Sequence, residues 1–318
     1  MSDALGGAHQ AMGPGREFDT IRALLERWGP LATGIGDDAA TLHAPSGRTL
    51  VASTDAFVEN AHFREGWVTP DELGARATAA ALSDLAAMGA RADAILVAFV
   101  VPDAWRERLP HVADGIGRVV AAAGARIAGG NISRGSTFSI TTTVIGSATR
   151  LVPRSGARPG DVLLVTGTLG GPGMALREWE RGGRPTGWAR ERFASPVPRL
   201  GAGDAFACAG AHAMLDISDG LAADARHMAA ASRVDLQLHG PSIPCGPGVT
   251  IADALSSGEE YELLVACPPE IVSGLLESVP ERLGVPLTVI GEVRIANTTT
   301  NVETTPGHDH FLLSCEPR

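Results

Sequence analysis

The chain is organised around the stretch from Gly34 to Phe63, which reads GIGDDAATLHAPSGRTLVASTDAFVENAHF. Within it, the apolar run Leu50-Val51-Ala52 leads directly into Ser53-Thr54-Asp55, which predicts a strand ending in oxygen-bearing side chains. Carboxylate and hydroxyl oxygens are ligands that Mg²⁺ prefers, and Mg²⁺ often reaches phosphates by bridging to them. The stretch therefore predicts one wall of a metal site, provided that other segments meet it.

Two tripeptides of this stretch also have an ordinary structural interpretation. Gly36-Asp37-Asp38 is typical of a turn, and Ser-Thr-Asp after a strand is typical of a strand exit or a helix N-cap. Recurrence favours a site, because Asp84, Asp216 and Asp219 also lie at a strand end or in an apolar helix. If these carboxylates converge, their mutual repulsion requires cations, and a multi-metal site suits a nucleoside triphosphate.

The composition excludes several classes of function. A chain of 318 residues with a net charge of −10 is long enough for two domains and too acidic to favour a nucleic-acid partner. All 26 basic residues are Arg and none is Lys, which excludes a Walker-type lysine and Schiff-base chemistry. Any bound phosphates must therefore be neutralised by metals and arginines.

Targeting and cysteine signals are weak. Residues 1–15 carry no Lys or Arg, and no apolar stretch approaches a membrane span, so we expect a cytoplasmic protein without a membrane partner. The four cysteines are far apart, which predicts neither a zinc site nor a disulfide framework. We interpret them as buried small side chains: Cys208, Cys245, Cys267 and Cys315.

The first half predicts a domain over residues 17–149, after a segment 1–16 that we expect to be disordered. Thr69 to Glu72 has the pattern of a capping box and begins an Ala-rich helix that ends near Gly89. Residues 94–101 predict a buried strand, and residues 126–135 a short strand opening into a Gly-rich turn. Alternating apolar residues from Phe138 onward predict a further strand.

The second half, residues 150–318, predicts an α/β domain. Residues 150–161 are rich in Arg, Pro and Gly and indicate a hinge, and residues 181–198 indicate an exposed excursion. Strands predicted at 161–166, 213–217 and 263–266 alternate with helices. Ser257 to Glu262 places three carboxylates before the last of these strands.

Seven segments, in order and across most of the chain, carry a resemblance to a known family. They are GIGDDAA (34–40), STDAFVENAHF (53–63), LSDLAAMGA (82–90), GGNISRG (129–135), RSGARPGD (154–161), DISDGLAAD (216–224) and SGEEYELL (257–264). Together they resemble thiamine-monophosphate kinase, within the aminoimidazole ribonucleotide synthetase-like superfamily. The resemblance implies an N-terminal half-barrel domain that pairs across a homodimer and a C-terminal α/β domain that closes over an ATP cleft.

The resemblance also implies the reaction and the site. ATP would pass its γ-phosphate directly to thiamine monophosphate, with several Mg²⁺ ions, without a covalent enzyme intermediate and without a catalytic side chain. ATP would contact Gly130, Asn131, Arg154 and Ser218, and the thiamine moiety would contact His62, Glu259 and His308. The implied metal ligands are Asp38, Ser53, Thr54, Asp55, Asp84, Asn131, Asp216 and Asp219.

Two positions depart from the family pattern. Asn131 stands where the family usually has Asp, and His308 stands where it usually has an aromatic residue. An amide keeps a carbonyl oxygen but loses one charge. These departures leave two other hypotheses open, namely a superfamily relative with a different small-molecule acceptor, and a catalytically weak protein that binds nucleotide and metal.

Overall fold

The computed structural model describes residues 48–296, preceded by Arg22, Asp37 and residues 39–43, with the backbone alone for residues 40–43. The segment 1–16, Asp38, His308 and Cys315 lie outside the described residues. Among the helices that are described, none is long and apolar enough to cross a membrane.

The N-terminal half forms a five-stranded sheet in the order β1-β2-β5-β3-β4. All its strand pairs are antiparallel except β3 and β4, which run parallel. The strands are β1 (Ala40–His43), β2 (Thr49–Val58), β3 (Arg91–Val101), β4 (Arg126–Arg134) and β5 (Ser139–Ala148), and the helices are α1 (Pro70–Ala87), a 3-10 turn (Asp103–Trp105) and α2 (Leu109–Ala122).

Helix α1 is the central element of the molecule. The Thr69 side chain accepts the Glu72 N–H and the Glu72 side chain accepts the Thr69 N–H, so the predicted capping box is confirmed. Gly89 follows the helix with φ of 67°, which confirms its predicted position. Small residues along α1 allow close packing, and a Cβ at Gly115 of α2 would stand 1.8 Å from the Asp71 carbonyl oxygen.

The C-terminal half forms a second five-stranded sheet, β7-β9-β6-β10-β8, with antiparallel pairs throughout. The predicted mixed α/β class is therefore confirmed. The strands are β6 (Val162–Thr166), β7 (Ala213–Asp216), β8 (Val234–Leu238), β9 (Leu263–Cys267) and β10 (Leu287–Ile295), and the helices are α3 (Gly171–Glu180), α4 (Gly187–Ala194), α5 (Leu200–Ala209), α6 (Leu221–Ser232), a 3-10 turn (Gly240–Ser242), α7 (Ile251–Ser256) and α8 (Pro269–Leu283).

The two halves share buried surface around α1. Its last turn, with Ala86 and Ala87, packs in one cluster with Phe206 and Met214 of the C-terminal half. In the other direction, Tyr261 belongs to the core cluster of the N-terminal half. The two halves are therefore held against each other by side chains that each half buries in the other.

Three expectations from the sequence were wrong. Residues 126–134 do not open into a turn; they continue as strand β4, where a Cβ at Gly130 would stand 1.9 Å from the Val97 carbonyl oxygen, so glycine there permits close strand pairing. The supposed excursion contains α4, whose Phe193 is fully buried. Cys208 is exposed, whereas Cys267 is buried and Cys245 is intermediate.

Candidate functional site

The first wall of the site is the contact between β2 and α1. The Ser53 hydroxyl donates a hydrogen bond to the Asp84 carboxylate. Ser53 and Asp55 share one face of β2, because side chains alternate along a strand. Thr54 faces the opposite way, where its hydroxyl lies 3.0 Å from the Thr143 hydroxyl. The structure therefore brings Ser53, Asp55 and Asp84 to one side of the sheet and leaves the Thr54 side chain on the other.

The second wall is the loop between β7 and α6. Asp216 is buried at the end of β7, and one Asp224 carboxylate oxygen accepts the N–H groups of Ser218, Asp219 and Gly220 at 3.1 Å each. Burial, followed by the nearby charges of Asp219 and Asp216, raises the pKa of Asp224 well above its ordinary value. Asp224 thus shapes the loop that presents Asp216 and Asp219.

The two walls meet at Tyr261. Burial raises the pKa of the Tyr261 phenol well above its ordinary value, and the charges of Glu259, Asp55 and Asp216 raise it further. A carboxylate of the N-terminal half therefore acts on the same phenol as two carboxylates of the C-terminal half. The sequence predicted a metal site on the condition that separate segments meet, and this arrangement brings them together.

Arg154 connects the loop near Asp37 to the second wall. Its backbone N–H donates to the Asp37 carboxylate at 3.3 Å, and its Nε lies 3.7 Å from the same oxygen. Its charge also lowers the pKa of Asp224 and, together with burial, that of His227. Arg154 therefore brings a fixed positive charge to the Asp216–Asp224 loop and contacts Asp37 at the same time.

Gly130 and Asn131 lie apart from these walls within the sheet. Both belong to β4, and β5 and β3 stand between β4 and β2 in the strand order. At about 4.8 Å between neighbouring strands, this separation is about 14 Å along the sheet. Asn131 is exposed, and its Nδ2 donates to the Ser133 hydroxyl at 3.1 Å.

The residues expected to contact the thiamine moiety lie on both halves. His62 Nδ1 accepts the Val58 N–H at 3.1 Å, and the His62 ring stacks on Phe57 with centroids 5.2 Å apart. Glu259 forms an ion pair of 2.6 Å with Arg76 of α1. This buried partner was not predicted from the sequence.

The other two glutamates of the SGEEYELL segment hold the C-terminal half together. The Glu262 carboxylate accepts bonds of 2.6–2.8 Å from Arg192, Arg199 and the Thr166 hydroxyl. Glu260 accepts the Gly170 N–H and the Ser257 hydroxyl, both at 2.5 Å. Burial raises the pKa of Glu260 to about 7. These contacts are internal and do not reach the two walls.

The chemistry of the donors fits Mg²⁺. Among the described residues, one group of His, Cys, Asp or Glu has its ligand atoms within 4.8 Å of one another, namely Asp219, Asp224 and His227. Asp224 is already engaged by the loop, and imidazole suits Zn²⁺ better than Mg²⁺. Oxygen donors that suit Mg²⁺ come from the two walls: Ser53, Asp55, Asp84, Asp216 and Asp219.

Comparison with known proteins agrees with this arrangement. The family described as AIR synthase related protein, N-terminal domain, matches residues 36–148, and the corresponding C-terminal domain matches residues 158–299. Thiamine-monophosphate kinase of Mycobacterium tuberculosis is 38% identical over 268 residues, which cover 79% of this chain and 80% of that protein. This chain belongs to the thiamine-monophosphate kinase family.

Solved structures of this kinase family have the same fold. Thiamine-monophosphate kinase from Stenotrophomonas maltophilia is 31% identical, with a TM-score of 0.74, over 87% of this chain and 93% of that one. A structure described as AaThiL complexed with AMPPCP and TMP is 27% identical, with a TM-score of 0.78, over 89% of this chain and 91% of that one. The predicted aminoimidazole ribonucleotide synthetase-like architecture is confirmed.

Proposed function

We propose that this protein is an ATP-dependent kinase that converts thiamine monophosphate into thiamine diphosphate, with release of ADP. The observation that carries the proposal is the position of Tyr261, whose N–H donates to the Ile217 carbonyl of the second wall and whose side chain packs in the core of the half that carries Asp55 and Asp84. Burial and the charges of Glu259, Asp55 and Asp216 raise the pKa of its phenol. Membership of the family supports it, as does the AaThiL structure with TMP and AMPPCP, an ATP analogue. The acidic cleft is the place where phosphates and a cationic ring would meet.

Mg²⁺ ions bound in this cleft would neutralise and bridge the phosphates. Ser53, Asp55 and Asp84 would hold them from the N-terminal half, and Asp216 and Asp219 from the C-terminal half. We include Asp38, Thr54 and Asn131 in the proposed set because of the family resemblance. The Thr54 side chain faces away from Ser53 and Asp55, so Thr54 would act through its backbone oxygen.

The protein's own part in the transfer is to position the substrates. Arg154 would supply the fixed charge that a lysine-free chain needs beside ATP, with Ser218, Gly130 and Asn131 as further ATP contacts. His62, Glu259 and His308 would bind the thiamine moiety. In phosphoryl transfer such positioning and charge compensation account for most of the catalysis, so no side chain is assigned a covalent role.

We also propose a homodimer formed through the N-terminal domain, residues 17–149, with residues 150–318 as the C-terminal domain. Strand β4 is exposed along its whole length. The neighbouring surface carries Ile127 and Ile132 at 53% and 66% exposure, with Leu96 and Val100 at 38% and 36%. Exposed apolar side chains on an edge strand favour burial against a second chain. We expect Ile132→Asp to convert dimer into monomer in light scattering.

A single assay tests the proposed activity. Purified protein is incubated with ATP, Mg²⁺ and thiamine monophosphate, and the products are separated by chromatography. We expect thiamine diphosphate and ADP in equal amounts, loss of both with EDTA, and recovery with excess Mg²⁺. ADP formed only with another small-molecule acceptor would replace the proposed substrate, and nucleotide binding without turnover would replace the proposed activity. The cytoplasmic location stays a prediction.

A further inference from the structure

Arg76 is a fully buried arginine between the two halves of the molecule. It lies on α1, and its Nη2 is 2.6 Å from a Glu259 carboxylate oxygen. Its Nη1 donates to the Phe193 carbonyl oxygen, and its guanidinium lies 3.7 Å from the Phe193 ring centroid and 5.9 Å from that of Phe57. A buried guanidinium requires a counter-charge, and Glu259 supplies it.

The backbone around Glu259 is held in an uncommon conformation. Glu259 and Tyr261 have φ angles of 59° and 53°, which non-glycine residues adopt only where the surroundings impose them. The Glu259 N–H donates to the Ser218 carbonyl at 2.7 Å, and the Tyr261 N–H donates to the Ile217 carbonyl at 2.9 Å. Glu259 is therefore anchored to the loop of Asp216 and Asp219 while its side chain points at α1.

The burial of the pair is asymmetric. The Arg76 side chain is 0% exposed, whereas the Glu259 side chain is 22% exposed. Arg76 therefore approaches Oε2 of the Glu259 carboxylate from the interior of the protein. The exposed part of the Glu259 carboxylate faces the cleft. Such an arrangement presents a carboxylate at a fixed angle to a ligand.

Helix α1 connects this pair to the metal side of the cleft. Asp84 follows Arg76 by eight residues, so the two side chains lie about 12 Å apart along the axis of α1 and about 80° apart around it. Asp84 accepts the Ser53 hydroxyl at one end, and Arg76 holds Glu259 at the other. One rigid helix thus sets the distance between the phosphate end and the ring end of the cleft.

We propose that Arg76 is a positioning residue for the phosphoryl acceptor, which holds the Glu259 carboxylate against the amino-bearing or cationic ring of that substrate. This inference rests on the proposed function. A simple connection between the halves is already provided one turn earlier, where Arg190 of α4 makes two bonds of 2.7 and 3.2 Å to Glu72. Arg190 and Glu72 are thus a matched pair between the halves that involves no proposed substrate contact.

The test compares Arg76→Lys and Arg76→Met with Arg190→Lys and Arg190→Met in steady-state kinetics, each substrate being varied in turn. We expect Arg76→Met to raise the KM for thiamine monophosphate by about 100-fold, as loss of an orienting partner does elsewhere. Arg76→Lys keeps the charge without the planar fork and should raise it about 10-fold. The KM for ATP and kcat should stay within about threefold in all variants.

Several results would overturn the inference. Equal increases in both KM values, the same pattern in the Arg190 variants, or an unchanged acceptor KM in Arg76→Met would each reduce Arg76 to a structural role. Arg76→Lys decides the matter if Arg76→Met does not fold, and calorimetric binding of thiamine monophosphate gives a readout without turnover. Failure of the wild-type protein to bind or use thiamine monophosphate would instead overturn the proposed function.

Discussion

Two acidic regions of this protein contain clustered carboxylates in different surroundings. The first, which we call the aspartate walls, consists of Asp55, Asp84, Asp216 and Asp219. The second, the glutamate segment, consists of Glu259, Glu260 and Glu262. In the glutamate segment, Glu259 and Glu262 each lie 2.6–2.8 Å from arginine side chains. Next to the aspartate walls, burial and then the charges of Asp219 and Asp216 raise the pKa of the neighbouring Asp224 carboxyl.

A high density of carboxylates therefore does not by itself identify a metal site. A carboxylate that is close to a buried arginine already has its counter-charge and stabilises the fold. In the aspartate walls, Arg154 brings one positive charge to the Asp216–Asp224 loop, and bound metal ions would add the further positive charge that clustered carboxylates favour. The two arginines that hold Glu262 identify a structural role for that carboxylate, and the absence of lysine leaves this role to arginine.

The glutamate segment also divides its side chains between the halves. Glu259 and Tyr261 face the N-terminal half, where they meet Arg76 and the core. Glu260 and Glu262 face the C-terminal half, where Arg192 lies 3.6 and 2.8 Å from their carboxylates. The segment thus fixes one half against the other and holds the aspartate walls in place.

Replacing Asp55 with Asn tests the aspartate walls and should have the largest effect. Asn keeps the shape of the side chain and removes the charge that would hold metal. We expect kcat for thiamine diphosphate formation to fall by about 10²- to 10³-fold, while the melting temperature stays close to that of the wild type because the amide has nearly the same shape as the carboxylate.

The matched control for this prediction is Asp204→Asn. Asp204 is 37% exposed and forms an ion pair of 3.6 Å with Arg91, away from the cleft, so full activity is expected. Wild-type turnover by Asp55→Asn would remove Asp55 from the metal site. A large loss of stability in that variant would place Asp55 with the structural carboxylates.

Replacing Glu262 with Gln tests the glutamate segment. The substitution removes the carboxylate charge that lies 2.6–2.8 Å from Arg192 and Arg199, whose side chains are 15% and 14% exposed, and leaves Arg192 with Glu260 at 3.6 Å. We expect the free energy of unfolding to fall by about 3 kcal/mol, measured by urea denaturation. Turnover per folded molecule should change far less than in Asp55→Asn.

Glu65→Gln is the control for this effect, because the ion pair of Glu65 with Arg108 is exposed at 65% and 41% and should contribute little. If Glu262→Gln were as stable as Glu65→Gln, the contrast between the two regions would disappear. A loss of activity without loss of stability would move Glu262 into the active site.

Local patterns predicted much of this structure. The capping box at Thr69, the end of α1 at Gly89 and the alternation from Phe138 to Val144 depend on residues close in sequence, and all are confirmed. Gly130 of β4 was misinterpreted because close approach to β3, rather than turn geometry, requires a glycine there. That requirement arises from a strand distant in sequence.

The contacts between candidate-site residues that are distant in sequence were harder to predict than the residues themselves. The sequence identified Asp55, Asp84 and Asp216 from strand ends and apolar surroundings, and the structure brings their segments to one cleft. Arg76 was missed, although it is a charged residue in the Ala-rich stretch of α1. The same pattern identified Asp84 as a candidate. The partner of Arg76 lies in the other half of the chain, so no local pattern could supply it.

The smallest expected effect concerns the pH dependence of stability through Glu260. Its pKa is raised from 4.5 in the unfolded chain to about 7 in the folded protein, chiefly by burial. Between these values the folded protein retains a proton that the unfolded chain has released, so stability falls as the pH rises from about 4.5 to 7. The slope is at most about 1.36 kcal/mol per pH unit and falls off near both pKa values. The free energy of unfolding therefore falls by roughly 2 to 3 kcal/mol over this range.

Glu260→Gln should remove this dependence, because a neutral amide can still accept the Gly170 N–H and the Ser257 hydroxyl. The variant should therefore gain stability relative to the wild type as the pH rises from 5 to 8, in urea denaturation at each pH. A constant difference across this range would mean that Arg192, 3.6 Å away, keeps Glu260 charged throughout. Glu260 would then resemble Glu262, and the glutamate segment would consist entirely of ionised carboxylates paired with arginines.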